Sequence, residues 1–200
     1  MFKGLKKPEK KPIEVPTVDQ LEQEYERVRY NRRYRSVLAS TIYALVTVAA
    51  VSVLVATLLL PVLQIYGTSM TPSLIEGDIV VSIKGSSFNE GDIISFYYNN
   101  KILVKRVIAQ EGEWVDIDDD GNVYVNGVEL EEPYIAEKAL GDCDIDLPYQ
   151  VPEGRIFVMG DHRATSQDSR SSAIGCVSEE QIVGKIVFRV WPLKEFGTLD

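Results

Sequence analysis

The feature that most constrains this chain is a long stretch without a charged side chain, from residue 36 to residue 75. Within it, residues 37–63 are dense in Val, Leu, Ala and Ile, with a few small hydroxyl residues. At about 1.5 Å per residue, a helix of this length crosses a hydrocarbon layer of about 30 Å. A helix buried in a soluble core would show a polar face, and this stretch has none. The sequence therefore predicts one transmembrane helix over residues 36–63.

The charges on either side of the apolar stretch predict its orientation. Residues 1–36 carry ten Lys or Arg against six Asp or Glu, whereas the rest of the chain carries eleven against twenty-four. Four arginines directly precede the stretch: Arg29, Arg32, Arg33 and Arg35. By the positive-inside rule, residues 1–35 form a cytoplasmic basic tail and residues 64–200 an extracytoplasmic domain.

A cleaved secretory signal is the alternative interpretation of this N-terminal region. It fits poorly, because the basic leader is long and the apolar run exceeds the usual length of such a signal. Residues 1–20 are rich in Lys, Pro and Glu, which predicts disorder. Residues 20–35 predict a charged helix next to the membrane.

Beyond residue 64 the sequence has the pattern of a mainly β domain. Short apolar, β-branched runs alternate with turn residues, and no amphipathic helix of normal length separates them. The predicted strands span residues 79–83, 93–98, 102–109, 114–117, 123–125, 155–159 and 182–190. They predict a barrel-like or sandwich-like domain that is closed by the last long strand.

Metal and nucleic-acid sites find little support in the composition. Residues 116–121 match the first half of an EF-hand calcium loop, but the twelfth position of such a loop needs a Glu and is Gly127 here. The interpretation that we prefer is a hairpin turn at Asp120-Gly121. Cys143 and Cys176 lack the partners of a zinc site, and whether they form a disulfide stays open because the sequence does not reveal their geometry. The net charge of -9 argues against nucleic-acid binding.

Three short segments carry residue types that catalysis uses. The first, residues 67–74, holds a serine between Gly and Pro on irregular backbone, where neighbouring N–H groups are free for an oxyanion. In the second, Lys105 has apolar neighbours; burial would lower its pKa towards that of a base, whereas an edge strand would leave it solvated. The third, residues 158–170, holds two Asp, two Arg, one His and three hydroxyls, and by itself favours a solvated loop.

Taken in order along the chain, these segments resemble the motifs of bacterial type I signal peptidases. The family pattern S-M-x-P-T-L appears as Ser69-Met70-Thr71-Pro72-Ser73-Leu74, followed by Gly77-Asp78, by Lys105-Arg106-Val107, and by residues 160–170 for G-D-N-R-x-x-S-x-D-S-R. Residues 123–127 and Glu132-Pro133-Tyr134-Ile135 resemble the family's insert, and residues 182–185 its closing strand. The resemblance implies a signal-peptidase-like β catalytic core with a small β insert over about residues 112–152.

Position by position, the resemblance implies a serine–lysine dyad. Ser69 would be the nucleophile and Lys105 the general base, with Ser166 hydrogen-bonded to the lysine amine. The residues implied to support the loop are the ion pair of Asp168 and Arg170, together with Asp161 and Arg163. No metal or organic cofactor is needed.

The resemblance also implies how a substrate binds. Met70, Tyr66 and Leu103 would line the substrate pocket. An extended peptide would pair with residues 64–66 on one side of the dyad and with residues 103–105 on the other.

Two departures from the family pattern matter for the mechanism. His162 stands where the family has Asn, and as the single histidine of the chain it raises the alternative of a Ser–His–Asp triad. Gly67 stands where some members have a hydroxyl for the oxyanion hole. The Ser69 backbone N–H remains one expected donor, and Thr68 is the candidate for the second.

The sequence thus predicts a membrane-bound serine endopeptidase of exported preproteins. By resemblance it prefers small residues one and three positions before the cut, and its partners are the lipid bilayer and the preprotein. Two alternatives remain: a self-cleaving repressor-type protease with the same dyad, and a membrane-anchored peptide-binding homologue that has lost catalysis.

Overall fold

The structure is a computed structural model that describes residues 15–85 and 87–199. Its first element is the α-helix α1, Val18–Leu59, whose apolar part is long enough to cross a membrane and is nowhere buried. The charged helix predicted for residues 20–35 is the N-terminal part of α1. The disorder predicted for residues 1–20 lies mostly outside the described residues, and α1 begins before residue 20.

The predicted C-terminal end of the membrane helix, residue 63, is wrong, because the helix ends at Leu59. At its other end α1 runs without a break from the charged segment into the apolar one, and residue 36 as the start of the membrane-spanning part stays a prediction. Pro61 lacks a backbone N–H and disfavours helix for the residue before it, so the helix stops there. Residues Val62–Gln64 instead form strand β1, which pairs antiparallel with β2, Ile79–Ile83.

The part of the chain from Leu54 onward forms one compact unit around an eight-stranded antiparallel sheet. Its other strands are β3 (Ile93–Tyr98), β4 (Lys101–Ala109), β9 (Arg155–Met159), β10 (Val177–Ser178), β11 (Ile182–Trp191) and β12 (Gly197–Thr198). The order across the sheet is β1-β2-β11-β3-β4-β9-β10, and β12 pairs with β11. The predicted mainly β class is confirmed, and the late long strand lies at the centre of the sheet.

A second, four-stranded sheet lies within residues 112–152. Its strands are β5 (Trp114–Ile117), β6 (Val123–Val125), β7 (Val128–Glu129) and β8 (Tyr149–Gln150), in the order β7-β6-β5-β8. The burial of β5 alternates strictly, with Val115 and Ile117 buried and their neighbours exposed, because only one face of this small sheet is covered.

The turn between β5 and β6 explains the apparent calcium motif. Asp118 accepts hydrogen bonds from the backbone and the side-chain amide of Asn122, at 2.8 and 2.7 Å. The Asp-Gly pair therefore belongs to a hairpin, as the sequence predicts. Within residues 15–85 and 87–199, no group of His, Cys, Asp and Glu is placed to hold a metal ion. Cys143 and Cys176 are both free, so the open question of a disulfide is answered against it.

One of the three apolar clusters of the core includes residues on both sides of Ser69. Ile65, Met70 and Leu74 are almost fully buried and pack with Val80 and Ile186 of the large sheet. Burial of such side chains stabilises the fold by about 1.5–3 kcal/mol each. The irregular backbone around Ser69 is therefore fixed by apolar anchors on both sides of it.

Candidate active site

The side chains of Ser69 and Lys105 meet in the structure, although they are far apart in the sequence. The Lys105 amine donates a hydrogen bond to the Ser69 hydroxyl, with 2.7 Å between Nζ and Oγ. Lys105 is 3% exposed, and Ser69 is half-buried. A serine hydroxyl in contact with a shielded amine can lose its proton to that amine once the amine is neutral.

The burial of Lys105 decides between the two interpretations of this lysine. It lies on β4 opposite Ile94 of β3, on a part of the strand that β9 does not pair, yet its side chain is almost fully buried. Burial lowers its pKa from the ordinary 10.5 to about 8; the Asp168 carboxylate opposes this shift, Arg170 adds to it and Asp161 opposes it. The lysine is therefore a shielded amine that is partly neutral near neutral pH.

The backbone around Ser69 is held in a tight turn. Gly67 adopts a φ of 81°, which side chains disfavour, and the Leu74 N–H donates to the Met70 carbonyl at 2.9 Å. The Ser69 carbonyl accepts a hydrogen bond from the His162 N–H at 3.0 Å, which ties the turn to the loop that follows β9. Among the described residues, the Ser69 N–H donates no hydrogen bond, and the Thr68 side chain is exposed.

Asp168 and Arg170 form the ion pair that the resemblance implies. The guanidinium donates to both carboxylate oxygens at 2.9 Å, and both side chains are fully buried. The pKa of Asp168 is lowered, since its hydrogen bonds and the charge of Arg170 outweigh the effect of burial, which acts in the opposite direction. Asp168 also accepts the Gly160 N–H at 2.9 Å, so the pair closes the loop on itself.

Asp161 and Arg163 brace this loop through partners outside it. Asp161 accepts two hydrogen bonds from Arg106, from Nε at 3.0 Å and from an η nitrogen at 2.7 Å. Arg163 donates from both η nitrogens to Glu132 of the insert. The side chains of both pairs are at most 2% exposed.

Sequence reasoning gave no role to Arg106 or Glu132. The structure buries three arginines here, and residues 158–170 supply only two carboxylates, so Glu132 of the insert supplies the third. The burial of Arg106 has no signal in the sequence, and neither role could be found from it.

Ser166 differs from the expectation. In the described structure its hydroxyl makes no hydrogen bond to Lys105 or to any other group, although the residue is 1% exposed. The hydroxyl packs against Gly160, where an added Cβ would lie 2.1 Å from the Ser166 Oγ. Its predicted role in orienting the lysine stays a prediction.

The His162 ring points to a partner on its own loop. Its Nδ1 lies 3.1 Å from the Thr165 hydroxyl, and the ring makes no hydrogen bond to Ser69 in the described part of the chain. The contact between His162 and Ser69 is made by backbone atoms. This arrangement does not support a Ser–His–Asp triad.

A cavity of about 100 Å³ opens beside Ser69. Its walls come from the segment after α1, residues 63–67, and from residues 102–104 of β4, with Ser69 and Met70 between them. The three predicted pocket residues, Tyr66, Met70 and Leu103, all line it. Drug-sized ligand pockets are several times larger, so this cavity fits a small side chain.

A serine hydroxyl hydrogen-bonded to a buried lysine is typical of serine proteases that use lysine in place of histidine. Comparison with known proteins assigns the family. The family described as signal peptidase, peptidase S26, matches residues 38–191. This chain belongs to that family and is a serine endopeptidase that acts on secretory preproteins, and α1 is its membrane anchor.

Two curated relatives agree with this assignment. A signal peptidase IB of Staphylococcus aureus is 38% identical over 152 residues, which cover 66% of this chain and 78% of that protein. The chloroplastic thylakoidal processing peptidase 1 of Arabidopsis thaliana is 35% identical over 174 residues, covering 78% of this chain and 49% of that protein. A crystal structure of a signal peptidase I from Enterococcus faecalis is 32% identical, with a TM-score of 0.44, and covers 50% of this chain and 97% of the other.

The buried lysine leads to a prediction about stability. Between pH 8 and 10.5 the unfolded chain holds the Lys105 proton more tightly than the folded chain, so the free energy of unfolding rises with pH across this window. Below pH 8 the full cost of burying the charge is present. We expect Lys105→Met to raise the free energy of unfolding at neutral pH by up to about 3 kcal/mol, and this gain to vanish near pH 10.5.

Thermal unfolding of the detergent-solubilised protein across this pH range checks the prediction. Lys101→Met is the matched control, because Lys101 lies on the same strand but is exposed. A loss of stability in Lys105→Met at neutral pH would contradict the prediction.

Proposed function

We propose that this peptidase cuts signal peptides from preproteins with Ser69 as the nucleophile and Lys105 as the general base. The observation that carries the proposal is the 2.7 Å hydrogen bond between the shielded Lys105 amine and the Ser69 hydroxyl. The lowered pKa of Lys105, about 8, means that about a tenth of the amine is neutral at pH 7 and about half at pH 8. No other base touches the Ser69 hydroxyl among the described residues.

Acylation begins when the Ser69 oxygen attacks the scissile carbonyl carbon and its proton passes to Lys105. The carbonyl oxygen becomes an oxyanion that the Ser69 N–H stabilises, with Thr68 as the proposed second donor because Gly67 has no hydroxyl. The carbon–nitrogen bond then breaks, and the Lys105 ammonium gives its proton to the leaving amine. The signal peptide remains attached to Ser69 as an ester.

Deacylation runs through the same base. Lys105, neutral again, takes a proton from a water molecule as that water attacks the ester carbon. The carbon–oxygen bond to Ser69 breaks, and the proton on Lys105 returns to the Ser69 oxygen. The signal peptide leaves as a carboxylic acid, and the dyad is restored.

The unpaired side of β4 supports an extended mode of substrate binding. The strand pairs with β3 from Lys101 to Arg106, but its pairing with β9 begins only at Arg106. Across the cavity, β1 lies at one edge of the sheet and, among the described strands, pairs only with β2. A peptide lying between these two segments adds a strand to the sheet and brings its scissile bond to Ser69.

The dyad prediction is tested with a preprotein and the solubilised protein. Ser69→Ala and Lys105→Ala should each abolish cleavage, and Lys105→Arg should not restore it, because guanidinium keeps its proton at working pH. The rate of the unsubstituted protein should rise with pH through about 8 as Lys105 loses its proton. His162→Asn should cleave normally.

Several outcomes would overturn the dyad. Cleavage by Lys105→Ala would exclude lysine as the general base. A folded but inactive His162→Asn, together with a rate of the unsubstituted protein that rises near pH 6.5, would favour a histidine mechanism. Preprotein left intact by the unsubstituted protein at every pH would favour the peptide-binding homologue.

The size of the cavity supports a preference for small residues one and three positions before the cut. Met70 is 2% exposed and packed in the core, so widening the cavity beside Ser69 would disrupt close packing and cost stability. We expect replacement of Ala by Phe immediately before the cut to lower the cleavage rate at least 100-fold. A matched preprotein with the same replacement far into the mature part should be cut normally, and equal rates for the two substrates would refute the size limit.

The orientation in the membrane is also a proposal: residues 1–35 are cytoplasmic and the sheet unit is extracytoplasmic. The arginines before residue 36 support it through the positive-inside rule. Protease added outside spheroplasts should digest the sheet unit and leave an N-terminal tag intact, as immunoblots of both ends would show. Digestion of the tag in sealed spheroplasts would reverse the orientation; opened spheroplasts serve as the control.

A further inference from the structure

The insert reaches the catalytic site through two side chains for which the dyad mechanism has no use. Glu132 is 9% exposed as a residue, and its carboxylate accepts both η nitrogens of Arg163. The ring of Tyr134 lies 3.9 Å from the guanidinium carbon of Arg106, and its hydroxyl donates to Glu132 at 3.1 Å. These two residues, only two apart in the chain, thus hold two different arginines.

Each of these arginines fixes a piece of the catalytic backbone. Arg163 donates from Nε to the Gly160 carbonyl at 3.2 Å, and an added Cβ on Gly160 would lie 2.5 Å from the Ser69 carbonyl oxygen. Arg106 directly follows the base in β4. It donates to Asp161 and, at 3.1 Å, to the Ser73 hydroxyl in the nucleophile turn.

We propose that Glu132 and Tyr134 are positioning residues of the insert, which hold the nucleophile turn and the loop at residues 160–170 against the dyad by way of Arg163 and Arg106. The proposal rests on the Ser69–Lys105 mechanism proposed above. Neither residue touches the reacting atoms. The arginines that they hold contact the elements on both sides of the dyad, so a shift of the insert segment displaces the nucleophile relative to the base.

The balance of charges in this cluster gives the proposal a measurable test, the pH dependence of the rate, which loss of folded protein alone would not change. Three buried arginines, Arg106, Arg163 and Arg170, face three buried carboxylates, Asp161, Glu132 and Asp168. In the intact cluster the charged groups that act on Lys105 are Asp168, Arg170 and Asp161, while the charge of Arg163 is matched by Glu132. Loss of the Glu132 charge leaves one positive charge unmatched in this cluster, which favours the neutral form of the Lys105 amine.

The first experiment compares Glu132→Gln with the unsubstituted full chain, with a preprotein as substrate. We expect kcat to fall roughly tenfold with KM nearly unchanged, because the reacting groups are displaced while the substrate groove is intact. The rise of the rate with pH should move to lower pH. The double variant Glu132→Gln/Arg163→Gln removes one charge of each sign and should return the pH profile to its original place while kcat stays low.

The matched control is Glu129→Gln. Glu129 lies in the same insert and pairs with Lys138 at 3.1 Å, but both side chains are substantially exposed. It should change neither kcat nor the pH profile. An unmoved pH profile in Glu132→Gln, or a fall in kcat that equals the loss of folded protein, would overturn the role of Glu132.

Tyr134 supplies the second test, which still tests the positioning role of the insert if Glu132→Gln fails to fold. Tyr134→Leu keeps all three ion pairs but removes the ring from Arg106, and it should lower kcat without moving the pH profile. Tyr134→Phe keeps the ring and should retain most of kcat. Equal kcat values for Tyr134→Leu and the unsubstituted protein would overturn the role of Tyr134.

The same data separate this inference from the dyad. If the unsubstituted chain shows no rise in rate near pH 8, or if Ser69→Ala still cuts, the proposed dyad is wrong. If the rate does rise near pH 8 and Ser69→Ala is inactive, but Glu132→Gln and Tyr134→Leu behave as the unsubstituted protein does, only the positioning role is wrong.

Discussion

Lys105 can accept a proton near neutral pH only because its amine is kept away from water beside Ser69. The surrounding sheet supplies that shielding, and burial is the main reason that its pKa falls to about 8. Yet the same region holds three buried arginines and three buried carboxylates. A buried pair that loses one partner costs about 3–5 kcal/mol, so these six charges must stay matched while the lysine alone remains free to change its charge.

Strand β4 connects these requirements, because neighbouring residues of a strand point to opposite sides of the sheet. Lys105 faces the Ser69 hydroxyl, and Arg106 joins Asp161, Ser73 and the Gly91 carbonyl. One strand therefore carries both the proposed base and the arginine that anchors the elements around it. The apolar residues Met70 and Leu74 complete the arrangement by fixing the nucleophile turn from below.

Much of the catalytic unit could be predicted from the sequence, because its longer strands are apolar runs with clear turn residues between them. All seven predicted strands exist, and only the starts or ends of β4 and β11 differ, each by one residue. Strands of two residues, such as Val177–Ser178, were missed, since they exist only through pairing with distant segments. The roles of Glu132 and Arg106 depend on tertiary contacts, and the unsatisfied hydroxyl of Ser166 has no sequence signal.

The pairing of β4 with β9 only from Arg106 onward has a consequence for how the cut is placed. A peptide that extends the sheet along residues 101–105 can slide only in whole-residue steps, and each single step turns every side chain to the opposite face. In the proposed binding mode, residues one and three before the cut lie two apart and so share a face, towards the cavity beside Ser69. A substrate shifted by one position would therefore turn these two side chains away from the cavity, so the register of the peptide on β4 sets the position of the cut.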